Sequence, residues 1–195
     1  NLNRSVISEK LTQQSVRQSF QDSTGALWFV THEGLNRYNG YELQNYRSTA
    51  SDASSLPTDS ITRMAEDHDG NLWLSTRGGG LVLYNPISDS FESLHSDPAN
   101  SNSPYSNEIS TIYTAMDGTL WLGYSNAFSK FNPKDRSFHH YISGSGNIPF
   151  TGRISSFTQT PDGGIWIATQ ATGLLRFEPN TGQLYVHQHS SDNPQ

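Results

Sequence analysis

The chain has no cysteine among its 195 residues. It can therefore build neither a disulfide framework nor a thiolate site, and its redox compartment stays open. Nowhere do eighteen apolar residues run together, so no segment reads as a membrane-spanning helix and no membrane contact is expected of this stretch. The opening residues, NLNRSVISEK, lack the apolar core of a secretory leader, which an exported and processed chain would have lost. Positive charge is scarce. Twelve Lys and Arg face eighteen Asp and Glu, a formal net charge of -6, which gives no general attraction to phosphate backbones and argues against nucleic acid as a partner. Sustained helical periodicity is missing too. Hydrophobic residues make up only 33%, yet Phe, Trp and Tyr supply 11% of the chain. That balance suits many short, half-buried strands.

The four tryptophans, Trp28, Trp73, Trp121 and Trp166, lie 45, 48 and 45 residues apart. Twelve positions before each stands a branched aliphatic residue, Val16, Ile61, Ile109 or Ile154. Three positions before each stands a glycine, Gly25, Gly70, Gly118 or Gly163. Ten or eleven positions after each comes Tyr38, Tyr84, Phe131 or Phe177. Matching offsets in four copies define an internal repeat, and a period near 45 residues belongs to propeller blades.

Within the second copy, SITRMAED and LWLST read as strands joined by the tight turn HDGN, whose Asp-Gly tolerates positive φ. GLVLYNP and SFESLH supply a third and a fourth strand. The same order recurs in the other copies. The expected fold is all-β: four four-stranded antiparallel β-propeller blades, belonging to a larger ring. The expected boundaries are 13–58, 59–106, 107–151 and 152–195, with residues 1–12 as a strand that could close the ring. Blades apolar on both faces must stack on neighbours, and the tryptophans are expected to fill the wedges between them.

Two stretches, QDSTGALWFVTHEGLNRYNG and EDHDGNLWLSTRGGGLVLYNP, resemble the two-component-regulator propeller repeat. Its pattern is an Asp, a Gly, a Trp, a small aliphatic, a Thr, then Gly-Leu and an aromatic. The likeness extends from about Val16 to His189. It implies the periplasmic sensor region of a bacterial hybrid histidine kinase or diguanylate cyclase, with further blades completing a ring of about seven, downstream output domains and a homodimeric receptor. It also implies a small-molecule or oligosaccharide ligand. The third copy departs from the pattern: GYSNAFSKF puts Tyr124 where the Thr belongs and Ala127 where the Gly belongs, as if the link were rebuilt for binding.

Alternation of strands puts the second-to-third links and the between-blade loops on one face. The first turn keeps its Gly in all copies, whereas the links differ: THEG, TRGGG, YSNA and TQATG. A fixed scaffold with varied loops on one face is a common design for recognition. The ligand-binding candidates are His32, Glu33, Arg77, Tyr124, Asn126 and Gln170, with Arg153 from a preceding loop. Charged and amide groups beside an aromatic ring can hold a sugar by hydrogen bonds and stacking.

Other constellations carry less. His187 and His189 share a strand face but have no third ligand in view, and His139 and His140 point to opposite faces, so no metal or other cofactor is expected. TRGGGL is followed by neither a helix nor a phosphate-loop lysine. No pair of carboxylates or nucleophile with a base can be assembled, so no catalytic residue is assigned. Asp69, Asp117 and Asp162 stand four residues before their tryptophans, where the sialidase-type aspartate box needs five. Ligand sensing is the favoured reading, with a propeller lyase or glycosidase and a protein-binding scaffold as alternatives.

Overall fold

The computed structural model describes residues 11–145 and 148–187. Nearly all of the expected ring-closing strand, and His189, lie outside them. All regular structure among the described residues is β, in four antiparallel sheets of four strands each. The first contains β1 (Val16–Gln21), β2 (Leu27–Thr31), β3 (Gly34–Tyr38) and β4 (Leu43–Tyr46). The second contains β5 (Ile61–Glu66), β6 (Leu72–Thr76), β7 (Leu81–Asn85) and β8 (Ser90–Leu94). The third contains β9 (Thr111–Thr114), β10 (Leu120–Gly123), β11 (Ala127–Asn132) and β12 (Ser137–Ile142). The fourth contains β13 (Ile154–Gln159), β14 (Ile165–Thr169), β15 (Leu174–Glu178) and β16 (Gln183–His187). Each is a propeller blade. The chain forms two compact units, one running to Ser96 with Ser106–Ile109 added, the other formed by Asp97–Tyr105 and the residues from Ser110 on.

In each unit two blades stack on a shared apolar core. The first unit buries Trp28, Val30, Leu35, Leu56, Met64, Leu74, Val82 and Tyr84 together. Trp28 packs edge-on against Tyr84 at 5.0 Å. The second unit buries Trp121, Phe128, Phe150, Phe157, Ile167 and Phe177, and there Trp121 meets Phe177 at 5.6 Å in the same geometry. The repeat thus puts an indole on one blade and an aromatic from the third strand of the next blade in contact. Burying an indole removes roughly 150–250 Å² from water, an upper-bound gain of about 4–6 kcal/mol.

Trp28, Trp73 and Trp121 are at most 2% exposed. Trp166 departs from the expectation of full burial. It is only half-buried, under the Arg176 guanidinium at 5.9 Å and beside His187 at 5.1 Å. Among the described residues of that unit, no second sheet lies against its face of the fourth blade.

The turns between first and second strands are held by carboxylates. Asp22 Oδ1 accepts from the backbone N–H of Thr24 and Ala26 and from the Thr24 hydroxyl, and Oδ2 accepts the Trp28 indole N–H at 2.7 Å. Asp67 repeats this for the second blade: Oδ1 accepts from Asp69 and Asn71 N–H and Oδ2 from Trp73 at 2.8 Å. Asp117 and Asp162, each followed by a glycine in its turn, cap the third and fourth turns instead, accepting from Thr119 N–H and Gly164 N–H. Gly70, at φ +82°, supplies the left-handed residue that the Asp-Gly turn needs.

A second polar lock joins the first two blades at their outer strands. Asp89, held at φ +51° in the β7–β8 turn, accepts from Tyr46 Oη at 2.7 Å and Tyr84 Oη at 2.8 Å through Oδ1, and from Gln44 Nε2 through Oδ2. Burial by itself raises the Asp89 pKa, but the donors Tyr46, Tyr84 and Gln44 more than offset it and hold the carboxyl below its ordinary 3.8. Burial pushes both phenols up, so they remain donors. A depressed carboxylate pKa stabilises the fold above the ordinary value, and that stability is lost as pH falls through the folded-state value. Stability measured by urea unfolding therefore falls as pH drops below about 4, and Tyr46→Phe with Tyr84→Phe flattens the slope. An unchanged slope in the double variant removes Asp89 from this role.

Candidate functional site

The link between second and third strands is set by one hydrogen bond and one glycine. Thr31 Oγ1 donates to Gly34 O, Thr76 Oγ1 to Gly80 O, and Thr169 Oγ1 to Gly173 O, at 2.8–3.0 Å. The glycine cannot be enlarged at its tightest place, since a Cβ on Gly80, at φ +73°, would lie 2.2 Å from Leu94 O. In the third blade the left-handed residue is Asn126, at φ +59°, rather than a glycine. Tyr124 N–H there donates to Ala127 O at 3.0 Å, closing the shorter link by backbone alone.

Tyr124 is therefore no rim residue. It is 1% exposed, with its ring edge-on to Tyr105 at 5.5 Å, and burial pushes its phenol up. The between-blade loop that carries Tyr105 folds over it. Nearby, Ser129 Oγ and His140 Nδ1 lie 2.7 Å apart, but Ser129 is 0% exposed, which keeps any substrate from this serine–histidine pair. Burial lowers the His140 pKa, offset in part by hydrogen bonds to the backbone of Ser103 and Ser101.

The other candidates lie on the loop side of their blades. Backbone bonds tie the links of the second and third blades to the loop leading into the following blade, and those of the second and fourth to the loop leading into their own. In the first unit Arg77 bridges Glu108, Gly78 N–H donates to Asn107 O and Arg77 N–H to Ser60 O. In the second unit Ser125 bridges Arg153, Asn126 Oδ1 accepts from Gly152 N–H at 2.6 Å, and Gln170 N–H donates to Arg153 O at 2.9 Å. The ladder places Asn126, Arg153 and Gln170 side by side. In the first unit His32 and Glu33 are exposed and each has a cation beside it: Arg17 Nη2 lies 2.6 Å from His32 Nδ1, and Arg47 Nη2 pairs with Glu33 at 3.2 Å. Arg77 is exposed as well.

Arg17 and Arg47 belong to this surface without having been singled out in the sequence. Both flank strand ends on the loop side, at the start of β1 and just past β4, and counting strand ends on every blade would have found them. Among the described residues no group of three or more His, Asp or Glu is arranged to hold a metal ion.

The family model of the two-component regulator propeller matches residues 55–78 and 148–171. The second and fourth blades carry two-component regulator propeller repeats. Each matched span covers the end of the lead-in loop, the first two strands and the start of the link, and so supplies one side of the ladder described above. Among solved structures, the chain is similar to an extracellular domain assigned to a hybrid two component system of B. thetaiotaomicron, with a TM-score of 0.85, 24% identity, and coverage of 95% of this chain and 26% of that one. A second such domain from B. thetaiotaomicron gives a TM-score of 0.62 at 19% identity, covering 92% and 30%. A catalytically inactive virginiamycin B lyase from Staphylococcus aureus gives 0.64 at 14%, covering 93% and 58%. At these identities the likeness is one of fold. The chain spans about a quarter to a third of the two extracellular domains. No curated protein sequence matches it.

The division between scaffold and rim has a direct consequence. Trp73→Ala costs about 3–5 kcal/mol, whereas Arg77→Ala, on an exposed link, stays within about 0.5 kcal/mol of the parent. Thermal melts of the two variants check this, and equal losses contradict it.

Proposed function

We propose that this chain is the ligand-sensing propeller segment of an extracytoplasmic bacterial signal receptor, and that its ligand is a carbohydrate. The reading rests most on the two regulator repeats, supported by the fold likeness to extracellular domains of hybrid two component systems. The rim chemistry agrees with it. His32, Glu33 and Arg77 in the first unit, and Asn126, Arg153 and Gln170 in the second, offer donors and acceptors suited to sugar hydroxyls, with Arg17 and Arg47 beside them. Tyr124 drops out, because its burial leaves it nothing to present.

Sensing requires that the ligand bind two receptor states unequally, since equal affinity shifts nothing. A rim made of backbone ladders between successive blades suits this, because a ligand gripping two links biases the fit between the blades that carry them. The output then passes to a downstream domain in a dimeric receptor.

Calorimetry of the protein against a panel of neutral and acidic oligosaccharides, with chromatography of the mixtures, tests the reading. Saturable binding without product is expected, weakened at least about ten-fold by Arg47→Ala or Arg153→Ala at unchanged melting temperature. Release of cleavage products would instead make the segment an enzyme, and the absence of binding across the panel would remove carbohydrate as the ligand.

A further inference from the structure

The turn side of the second unit, remote from the rim, holds a cavity of about 420 Å³, inside the roughly 300–1,000 Å³ typical of small-molecule sites. Ala115, Asp117, Trp121 and Lys130 of the third blade line it, with Gln159 and Asp162 of the fourth. One buried donor there is unsatisfied. Trp121 is 1% exposed, and its Nε1 has no hydrogen-bond partner among the described residues.

Internal comparison shows where that N–H points. In the first two blades the equivalent indole donates to the carboxylate six positions earlier, Asp22 or Asp67. The third blade has Ala115 at that position. The turn is otherwise the same, with Ala115 N–H donating to Thr119 O at 2.8 Å as Asp22 N–H does to Ala26 O and Asp67 N–H to Asn71 O. The indole edge is therefore aimed at Ala115, on the cavity wall, where the other two blades put an oxygen.

The wall also defines the ligand. Asp117 pairs with Lys130 at 3.4 Å, and Asp162 with Arg176 at 2.7 Å, an arginine that also pairs with Glu178 at 2.9 Å, so both cations are already engaged by carboxylates, which disfavours an anion and favours a neutral molecule. Trp121 offers only its edge, since Tyr141 and Phe177 pack against its ring. A ligand that accepts from an N–H and also donates to carboxylate oxygens fits this set, and a hydroxyl group does both. We propose that the cavity is a second binding site, taking a neutral polyol of monosaccharide size with one hydroxyl accepting the Trp121 Nε1–H. The indole edge is closed to bulk water in the free protein. Binding therefore requires a rotamer change on the wall, whose unbranched side chains are Met116, Lys130 and Gln159. This site stands apart from the rim, and its ligand need not be the one sensed there.

Nitrogen-15 spectra of the protein titrated with D-glucose, D-galactose and myo-inositol test it, the Trp121 indole resonance being assigned from Trp121→Phe. The expected result is a saturable shift of the Trp121 resonance with at least one probe while those of Trp28 and Trp73 hold still. Ala115→Asp restores the carboxylate of the first two blades, so it should move the Trp121 resonance without sugar and weaken binding at least about ten-fold, with a cooperative thermal melt confirming its fold. No saturable shift with any of the three probes, as when an ordered water alone occupies the site, overturns the proposal. Undiminished binding by Ala115→Asp overturns it equally.

Discussion

Everything in this chain depends on covering sheet faces that are apolar on both sides. A four-stranded blade cannot hide such faces alone, so each unit pairs two blades and sets an indole of one against an aromatic of the next, Trp28 on Tyr84 and Trp121 on Phe177. The contact is large and geometrically selective, which fixes the stacking of neighbouring strands as well as their burial. Carboxylates at the turns finish the work in the first unit, where Asp22 and Asp67 bind the indole N–H and the turn amides at once. Burying the indole and closing the turn are there a single act.

The spacing of the tryptophans made the four sheets legible, because an indole, a turn glycine and a strand-three aromatic at fixed offsets leave only one register for the hairpin. The polar partners were less visible. Asp69, Asp117 and Asp162 stand directly before the turn glycines, yet in the first two blades the oxygen that meets the indole belongs to an aspartate two positions earlier, Asp22 or Asp67, and only the folded turn shows which carboxylate reaches it. Tyr124 lies away from the rim for a related reason. A variable link looks like rim, but a large aromatic beside a long between-blade loop gains more by burial under Tyr105 than by facing water. Trp166 departs from its three counterparts because, among the described residues of its own unit, no second sheet covers it.

The candidate site was legible as a face rather than as a constellation. Strand alternation puts links and lead-in loops on one side, and the bridges through Arg77 and Glu108, and through Ser125 and Arg153, tie these loops to the links beside them. Which charges gather there depends on strand ends brought close by the fold, as with Arg17 at His32 and Arg47 at Glu33. The opposite side carries tight turns and, in the third blade, a donor whose usual acceptor the sequence omits. Rim and turn side thus divide the chemistry, while the indoles hold the scaffold between them.

A double-mutant cycle on Trp121 and Phe177, using Trp121→Leu and Phe177→Leu with urea unfolding, measures the stacking contact most directly. If indoles lock neighbouring blades, the pair shows a coupling of about 0.5–1.5 kcal/mol beyond the two single losses. Strict additivity within about 0.3 kcal/mol would mean that the two rings are buried independently and that the repeat does not bind one blade to the next.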